Sequence, residues 1–222
     1  MNPIRLAVGL LTAALLFAPA LVADEGEKKE EGKKDAAKIA AMLAKTKISL
    51  ADAITAAEKA AGGTAVEAAI EQDDDTLVYE VLVVAGTPAT LHEVSIDVGT
   101  GKVLEDSKLS SDADVAKAAK LAELLKKATV ALSAATKTAE EKAGATAYEA
   151  EFEEEGGAWN HEMGVVTKGD KPTLRDVKVD AATGKVLADE EEGAEEKKDE
   201  DKDDDGDEKK DGEKKDEKKD EK

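Results

Sequence analysis

The hydrophobic positions of the chain follow one plan twice, with 82 to 83 residues between equivalent positions. In each copy, apolar residues first recur at helical spacing, as Leu50, Ile54 and Ala57 do in the first copy. Further along, valine and isoleucine alternate with polar residues, which is typical of half-buried strands. The pattern therefore predicts an α+β protein of two repeats, each with two helices packed on a small antiparallel sheet of three to four strands.

The most similar stretch of the two copies is Asp-x-x-Thr-Gly-Lys-Val-Leu, at 97–104 and again at 180–187. The Asp carboxylate can accept hydrogen bonds from backbone amides two or three residues further on. The Gly allows the positive φ that a tight loop between two strands requires. We therefore assign a structural signature, and no catalytic, cofactor or metal role, to six residues: Asp97, Gly101, Lys102, Asp180, Gly184 and Lys185.

The alternation also predicts which side chains are buried. In the first strand after the helices, Val66, Ala68 and Ile70 should share one face, with Glu67 and Glu71 opposite. We expect one core to contain Leu50, Ile54, Val81, Val94 and Ile96. A second core should contain Leu132, Phe152, Val165, Val177 and Val179.

Helix starts differ between the copies. Ser49 with Asp52 forms a capping box in the first copy, whereas the equivalent of Ser49 in the second copy is Ala131. Loss of such a cap costs about 1 kcal/mol, so the helix that follows Ala131 should fray more readily at its start.

These features together resemble the PepSY family. The resemblance rests on Ser49-Leu50 with Ala53-Ile54 and Ala57, on Tyr79 with Val81, and on the two signature stretches. The second copy departs from the pattern at Ala131, Thr136 and His161. PepSY domains occur in the propeptides of thermolysin-like metallopeptidases, where they inhibit the enzyme and assist its folding, and in envelope proteins with no attached peptidase.

The resemblance implies an exported, non-enzymatic binding module that regulates or inhibits an envelope or secreted peptidase. The sequence contains no His-Glu-x-x-His motif, so a propeptide that acts on its own attached peptidase is not supported. The alternative is a structural or weakly cation-associating envelope protein that acts through its acidic tails.

Composition shifts divide the chain into five segments. An apolar stretch with small residues before its end predicts a signal peptide at 1–23, and therefore an extracytoplasmic location. A charged linker at 24–35 should be disordered. PepSY-like domains are expected at 36–106 and 112–188. The final segment, 189–222, contains 20 acidic residues and 10 lysines and should also be disordered.

The net charge of −20 makes nucleic acid and anionic membranes poor partners, and no membrane contact is expected beyond the signal segment. The final segment could associate weakly with divalent cations. Its Asp201, Asp203 and Asp205 imitate the start of an EF-hand loop, but Gly212 stands where that loop needs Glu.

Other candidate sites are weak. The chain has no Cys and only two imidazoles, His92 and His161, which align with Arg175 and Tyr79 and are expected at a sheet margin. A transition-metal site is therefore not predicted. The Thr-Gly-Lys stretches lack the full phosphate-binding loop. Tyr79 should be a core residue, while Trp159, beside Gly156-Gly157, could be either packed or a partner anchor.

Overall fold

The computed structural model describes residues 34–73 and 76–192, which form four helices and eight strands. The helices are α1 (Ala36–Leu43), α2 (Leu50–Ala61), α3 (Asp112–Leu125) and α4 (Leu132–Ala143). The strands are β1 (Gly63–Asp73), β2 (Thr76–Ala85), β3 (Thr90–Asp97), β4 (Val103–Leu109), β5 (Ala145–Glu155), β6 (Ala158–Thr167), β7 (Leu174–Asp180) and β8 (Val186–Glu191). The predicted signal segment, nearly all of the linker and the chain after residue 192 lie outside the described residues.

The eight strands form one antiparallel sheet in the order β4-β3-β2-β1-β5-β6-β7-β8. The two repeats meet where β1 pairs with β5, with Ala68 opposite Ala150. The predicted α+β fold of two repeats is confirmed, and each repeat contributes four strands. The strands of the two repeats do not form separate small sheets, because this pairing joins them edge to edge.

Two helices, α2 and α4, pack side by side on one face of this sheet, which we call the helix face. Leu50 of α2 and Leu132 of α4 are both fully buried there. Because the sheet is continuous and the two helices touch, the predicted pair of separate cores is wrong. The residues predicted for them lie in one core that spans both repeats, with the exception of Phe152.

The other two helices cross between the repeats. Helix α1 contacts β5 and β6 of the second repeat, and α3 contacts β2 and β3 of the first. Ala118 and Leu121 of α3 pack in a second apolar cluster with Val66, Val84 and Leu91. The same cluster includes Phe152, whose ring stacks on Trp159 with centroids 5.3 Å apart.

A β-bulge in β1 corrects the predicted face of Val66. The register of β1 against β2 shifts between Ala65 and Glu67, so strict alternation ends there. Val66 consequently packs in the cluster under α3, while Ala68 and Ile70 lie in the core of the helix face. The equivalent strand β5 shifts at the same place, between Ala147 and Glu149.

Local sequence explains where α2 and α4 begin and end. The Ser49 side chain accepts a hydrogen bond from the Asp52 amide at 3.1 Å, whereas Ala131 gives α4 no side-chain cap. Both helices end at glycines with positive φ, Gly62 at 68° and Gly144 at 62°.

The outer strands run beyond the expected domain ends at 106 and 188. Strand β4 continues to Leu109 and β8 to Glu191. Residues 189–191 are therefore paired in the sheet and are not part of a disordered tail. No helix within 34–73 and 76–192 is long and apolar enough to cross a membrane.

Candidate interaction surface

The two signature turns have the same hydrogen-bonded geometry. Asp97 Oδ1 accepts from the Thr100 amide at 2.7 Å and from its hydroxyl at 2.6 Å. Asp180 binds Thr183 with the same two distances. These bonds, the side-chain hydroxyl first, lower the pKa of both carboxyls below their ordinary value.

The glycines of these turns have the left-handed backbone conformation. Gly101 has φ 71° and Gly184 has φ 72°, and each amide donates to the carbonyl of the turn's Asp. The Lys102 and Lys185 side chains are exposed. All six signature residues are thus accounted for by turn geometry and solvent contact.

Each turn also holds the loop that precedes the second helix of its repeat. In the first repeat the Lys47 amide donates to the Val98 carbonyl at 2.8 Å. In the second repeat the Thr129 amide donates to the Ala181 carbonyl at 2.9 Å. Turn, loop and helix start are therefore tied together in both copies.

A side chain from the middle of the sheet ties down the same loop, and its type differs between repeats. Tyr79 donates its hydroxyl hydrogen to the Ile48 carbonyl at 3.2 Å. His161, at the equivalent position, has Nε2 2.8 Å from the Val130 carbonyl. Because a carbonyl only accepts, Nε2 carries the hydrogen.

His161 is not at a sheet margin, which corrects the expectation for this residue. It lies on an inner strand with 2% of its surface exposed. Burial lowers the pKa of its imidazole. Its Nδ1 has no hydrogen-bond partner among the described residues. The side chain therefore acts as a buried, neutral tether for the loop before α4.

His92 also lies on an inner strand and pairs with an acid. Its Nδ1 is 2.8 Å from Asp106 Oδ1. The equivalent pair in the second repeat is Arg175 with Asp189, where the Arg Nη2 is 2.7 Å from the carboxylate. Both pairs tie the outermost strand of a repeat to its neighbour, and only the Arg carries a permanent charge.

The face of the sheet opposite α2 and α4 is rich in carboxylates, and we call it the acidic face. Its side chains alternate with core residues, as Glu80 does with Tyr79 and Val81. Nine of its acids are half-buried. They are Glu67, Glu71, Glu80, Glu93, Glu149, Glu151, Glu153, Glu162 and Asp176.

Close packing of these acids raises several of their pKa values. Burial, followed by the neighbouring acids, raises the pKa of Glu80 and of Glu93 to about 7. At the junction of the repeats Glu67 lies directly opposite Glu151. Burial and then this facing carboxylate raise the pKa of Glu151 to about 7. Part of the acidic face is therefore protonated near neutral pH.

Lysines reach this face mainly in the second repeat. The Lys178 ammonium lies 3.4 Å from Glu162 and 3.8 Å from Glu153, and it also pairs with Glu155. The Lys34 ammonium pairs with Glu149. In the first repeat, Lys117 of α3 comes within 4.0 Å of Glu67. The electrostatic balance of the two halves is therefore unequal.

The acidic face is a surface that the sequence pattern alone did not predict. Its signal was present, because Glu149, Glu151 and Glu153 recur at every second residue of one predicted strand. Trp159, in contrast, is packed within the chain, since it stacks on Phe152 and the Lys127 ammonium lies 5.7 Å from its ring centroid. Within the described ranges, no group of three or more His, Cys, Asp or Glu side chains has the arrangement of a metal site.

Comparison with known proteins gives the family. The family model described as "Peptidase propeptide and YPEB domain", PepSY, matches residues 47–106 and 129–190, more than half of the chain. The chain therefore belongs to the PepSY family and carries two copies of its domain, as the sequence resemblance indicated. Helices α1 and α3, which cross between the repeats, lie before the matched ranges.

A solved structure of a predicted lipoprotein from Clostridium difficile 630 is similar to this chain. The two share 23% sequence identity with a TM-score of 0.42, over 68% of this chain and 97% of that protein. The comparison with curated proteins gave no match.

Proposed function

We propose that this protein is an extracytoplasmic, non-enzymatic binding module that regulates or inhibits an envelope or secreted peptidase. The observation that carries the proposal is the pair of matches to a domain described from peptidase propeptides. Two such domains fused through one sheet present a continuous, rigid surface, with α2 and α4 on one side and, on the other, the acidic face, part of which α3 covers. A rigid surface loses little conformational entropy on binding a partner.

The test is depletion and inhibition of a peptidase. The full chain is immobilised and exposed to envelope extract and culture medium of its source, and peptidase activity is measured in the unbound and eluted fractions. We expect activity to leave the unbound fraction and to recover on elution. The same chain, unfolded by heat before it is immobilised, is the control. Unchanged activity in the unbound fraction with the native chain would contradict the proposal.

A second candidate, a structural or weakly cation-associating envelope protein, is favoured by the composition of the chain after residue 192, which is almost entirely acids and lysines. Mixed lysines weaken the field of the acids, so cation affinity should be roughly millimolar at best. Calcium titration of the full chain and of a chain ending at residue 192 separates the candidates. Tight Ca²⁺ binding that is lost with the deletion would favour this second function over the first.

A further inference from the structure

Three carboxylates on the acidic face of the first repeat lie around a serine without a cation beside them. Glu80 is directly opposite Ser95 across β2 and β3. Glu71, opposite Val78, is the diagonal neighbour of Glu80 across β1 and β2, and Glu93 lies two residues before Ser95 on β3, so all three carboxylates share this face. Among the described residues, no ion pair reaches any of these three acids.

The second repeat fills the same place with an ammonium group. Lys178 is the equivalent of Ser95, and it lies directly opposite Glu162 as Ser95 lies opposite Glu80. Its Nζ is held by Glu162 at 3.4 Å and Glu153 at 3.8 Å, the equivalents of Glu80 and Glu71. The same pair of carboxylates therefore binds an ammonium in one copy and lacks it in the other.

We propose that Glu71, Glu80 and Glu93 form a docking site for a lysine side chain of a partner protein, whose ammonium takes the place that Lys178 fills in the second repeat. Charge complementarity is strong there, because half-buried carboxylates are less well solvated than exposed ones and attract a cation more strongly. The short Ser95 side chain supplies no positive charge to balance these carboxylates. The proposed site depends on the proposed binding role because a partner must supply the lysine. It does not require that the partner be a peptidase.

Protonation supports this assignment. Beside Lys178, the pKa of Glu162 is lowered by a hydrogen bond from Glu153 and by the ammonium, while burial and Glu162 raise the pKa of Glu153 to about 8. Glu80, the equivalent of Glu162 beside Ser95, has its pKa raised to about 7 by burial and by Glu71. An ammonium binds the ionised form of these carboxyls more tightly than the protonated form, so docking should strengthen as pH rises from 6 to 8. The other charged groups near the site are Glu67, Glu105, Asp114 and Lys117.

The test uses the full chain and a fluorescently labelled pentalysine peptide, with the dissociation constant measured by fluorescence polarisation at physiological salt. We expect Ser95→Lys to weaken binding about tenfold, because its own ammonium fills the site. Ser110→Lys adds the same charge on an exposed linker and should change binding less than about twofold. Lys178→Ser should strengthen binding, since it opens the equivalent place in the second repeat.

Several outcomes would overturn the proposal. Equal effects of Ser95→Lys and Ser110→Lys would mean that only overall charge is sensed. Equal binding of a peptide with all lysines acetylated would remove the ammonium from the mechanism. Displacement of the peptide by submillimolar Ca²⁺ would make the ligand a metal ion. Melting curves confirm that each variant is folded, and failure here would leave the peptidase depletion result unaffected, so the two proposals are tested separately.

Discussion

The two repeats share a backbone plan but differ in how they balance charge. Both keep the Asp and Gly of the signature turn with nearly identical distances and φ angles. The second repeat places fixed cations, Arg175 and Lys178, where the first has His92 and Ser95. Positions that set backbone geometry are thus the same in both copies, while charged positions differ on both faces of the sheet: Ser95 and Lys178 on the acidic face, and His92 and Arg175 on the helix face.

The largest effect should come from breaking the core that both repeats share. Leu132→Asp places a charge without a partner in a fully buried site and should lower the free energy of unfolding by about 3 kcal/mol or more. Because one core spans both repeats, the two repeats should unfold together in a single thermal transition, which circular dichroism can monitor.

The matched control for this change is Leu187→Asp, since the Leu187 side chain is 50% exposed. Its free energy of unfolding should lie within about 0.5 kcal/mol of that of the native protein. Two separate transitions in Leu132→Asp, with one repeat still folded, would show that the repeats have independent cores.

The turns test whether the copies are equivalent in backbone geometry. Gly101→Val and Gly184→Val each force a β-branched side chain to a φ near 70° and should cost roughly 1–2 kcal/mol in denaturant unfolding. Gly99→Ala is the control, because the equivalent residue is already Ala182. A clear difference between the two Val variants would show that one turn carries more of the stability.

Much of the local structure could be predicted from sequence, because its causes lie within a few residues. The Ser49 cap, the turns of Asp97 and Asp180, and the buried alternation of Val94 and Ile96 are examples. The pairing of β1 with β5 could not be predicted, since it joins backbone groups about 80 residues apart and leaves no local pattern.

The acidic face could be predicted only in part. Alternation places Glu67 and Glu71 away from the core, but the bulge after Ala65 moves Val66 out of that pattern. The contrast between Ser95 and Lys178 is visible in the aligned copies, yet its meaning depends on which carboxylates the sheet brings within reach. Alignment of repeats therefore needs the sheet register before it identifies a site.

A smaller effect should come from giving the second repeat the cap of the first. Ala131→Ser can accept the amide hydrogen bond that Ser49 accepts in the first repeat, and should raise the free energy of unfolding by about 1 kcal/mol. Ser49→Ala should lower it by a similar amount, both measured in urea. No gain in Ala131→Ser would show that another interaction already fixes the start of α4.

The smallest expected effect is on pH dependence. Glu80 and Glu93 have folded pKa values of about 7, above their ordinary 4.5, so the folded state binds extra protons and loses stability as pH rises between those values. His161 has the opposite sign, because its lowered pKa costs stability as pH falls below 6.5. The melting temperature should therefore be a few degrees higher at pH 6 than at pH 8.

Two glutamine variants sharpen this comparison of the repeats. Glu80→Gln should flatten the fall in melting temperature between pH 6 and 8. Glu162→Gln should flatten it as well, because it removes the carboxyl that, after burial, does most to raise the pKa of Glu153 to about 8. An unchanged fall in melting temperature in either variant would show that the carboxyl pair of that repeat does not hold the extra proton.

The pairing of β1 with β5 also bears on how such a chain can arise. Ala68 faces Ala150, which is its counterpart in the other repeat. Glu67 faces Glu151, and their counterparts, Glu149 and Ala69, face each other in the same way. This is the isologous contact of a two-fold homodimer, in which each patch meets its own copy. A single repeat would therefore be expected to dimerise through its β1 edge. In the fused chain each repeat meets the other at an effective concentration on the order of millimolar. The two halves can then acquire different side chains.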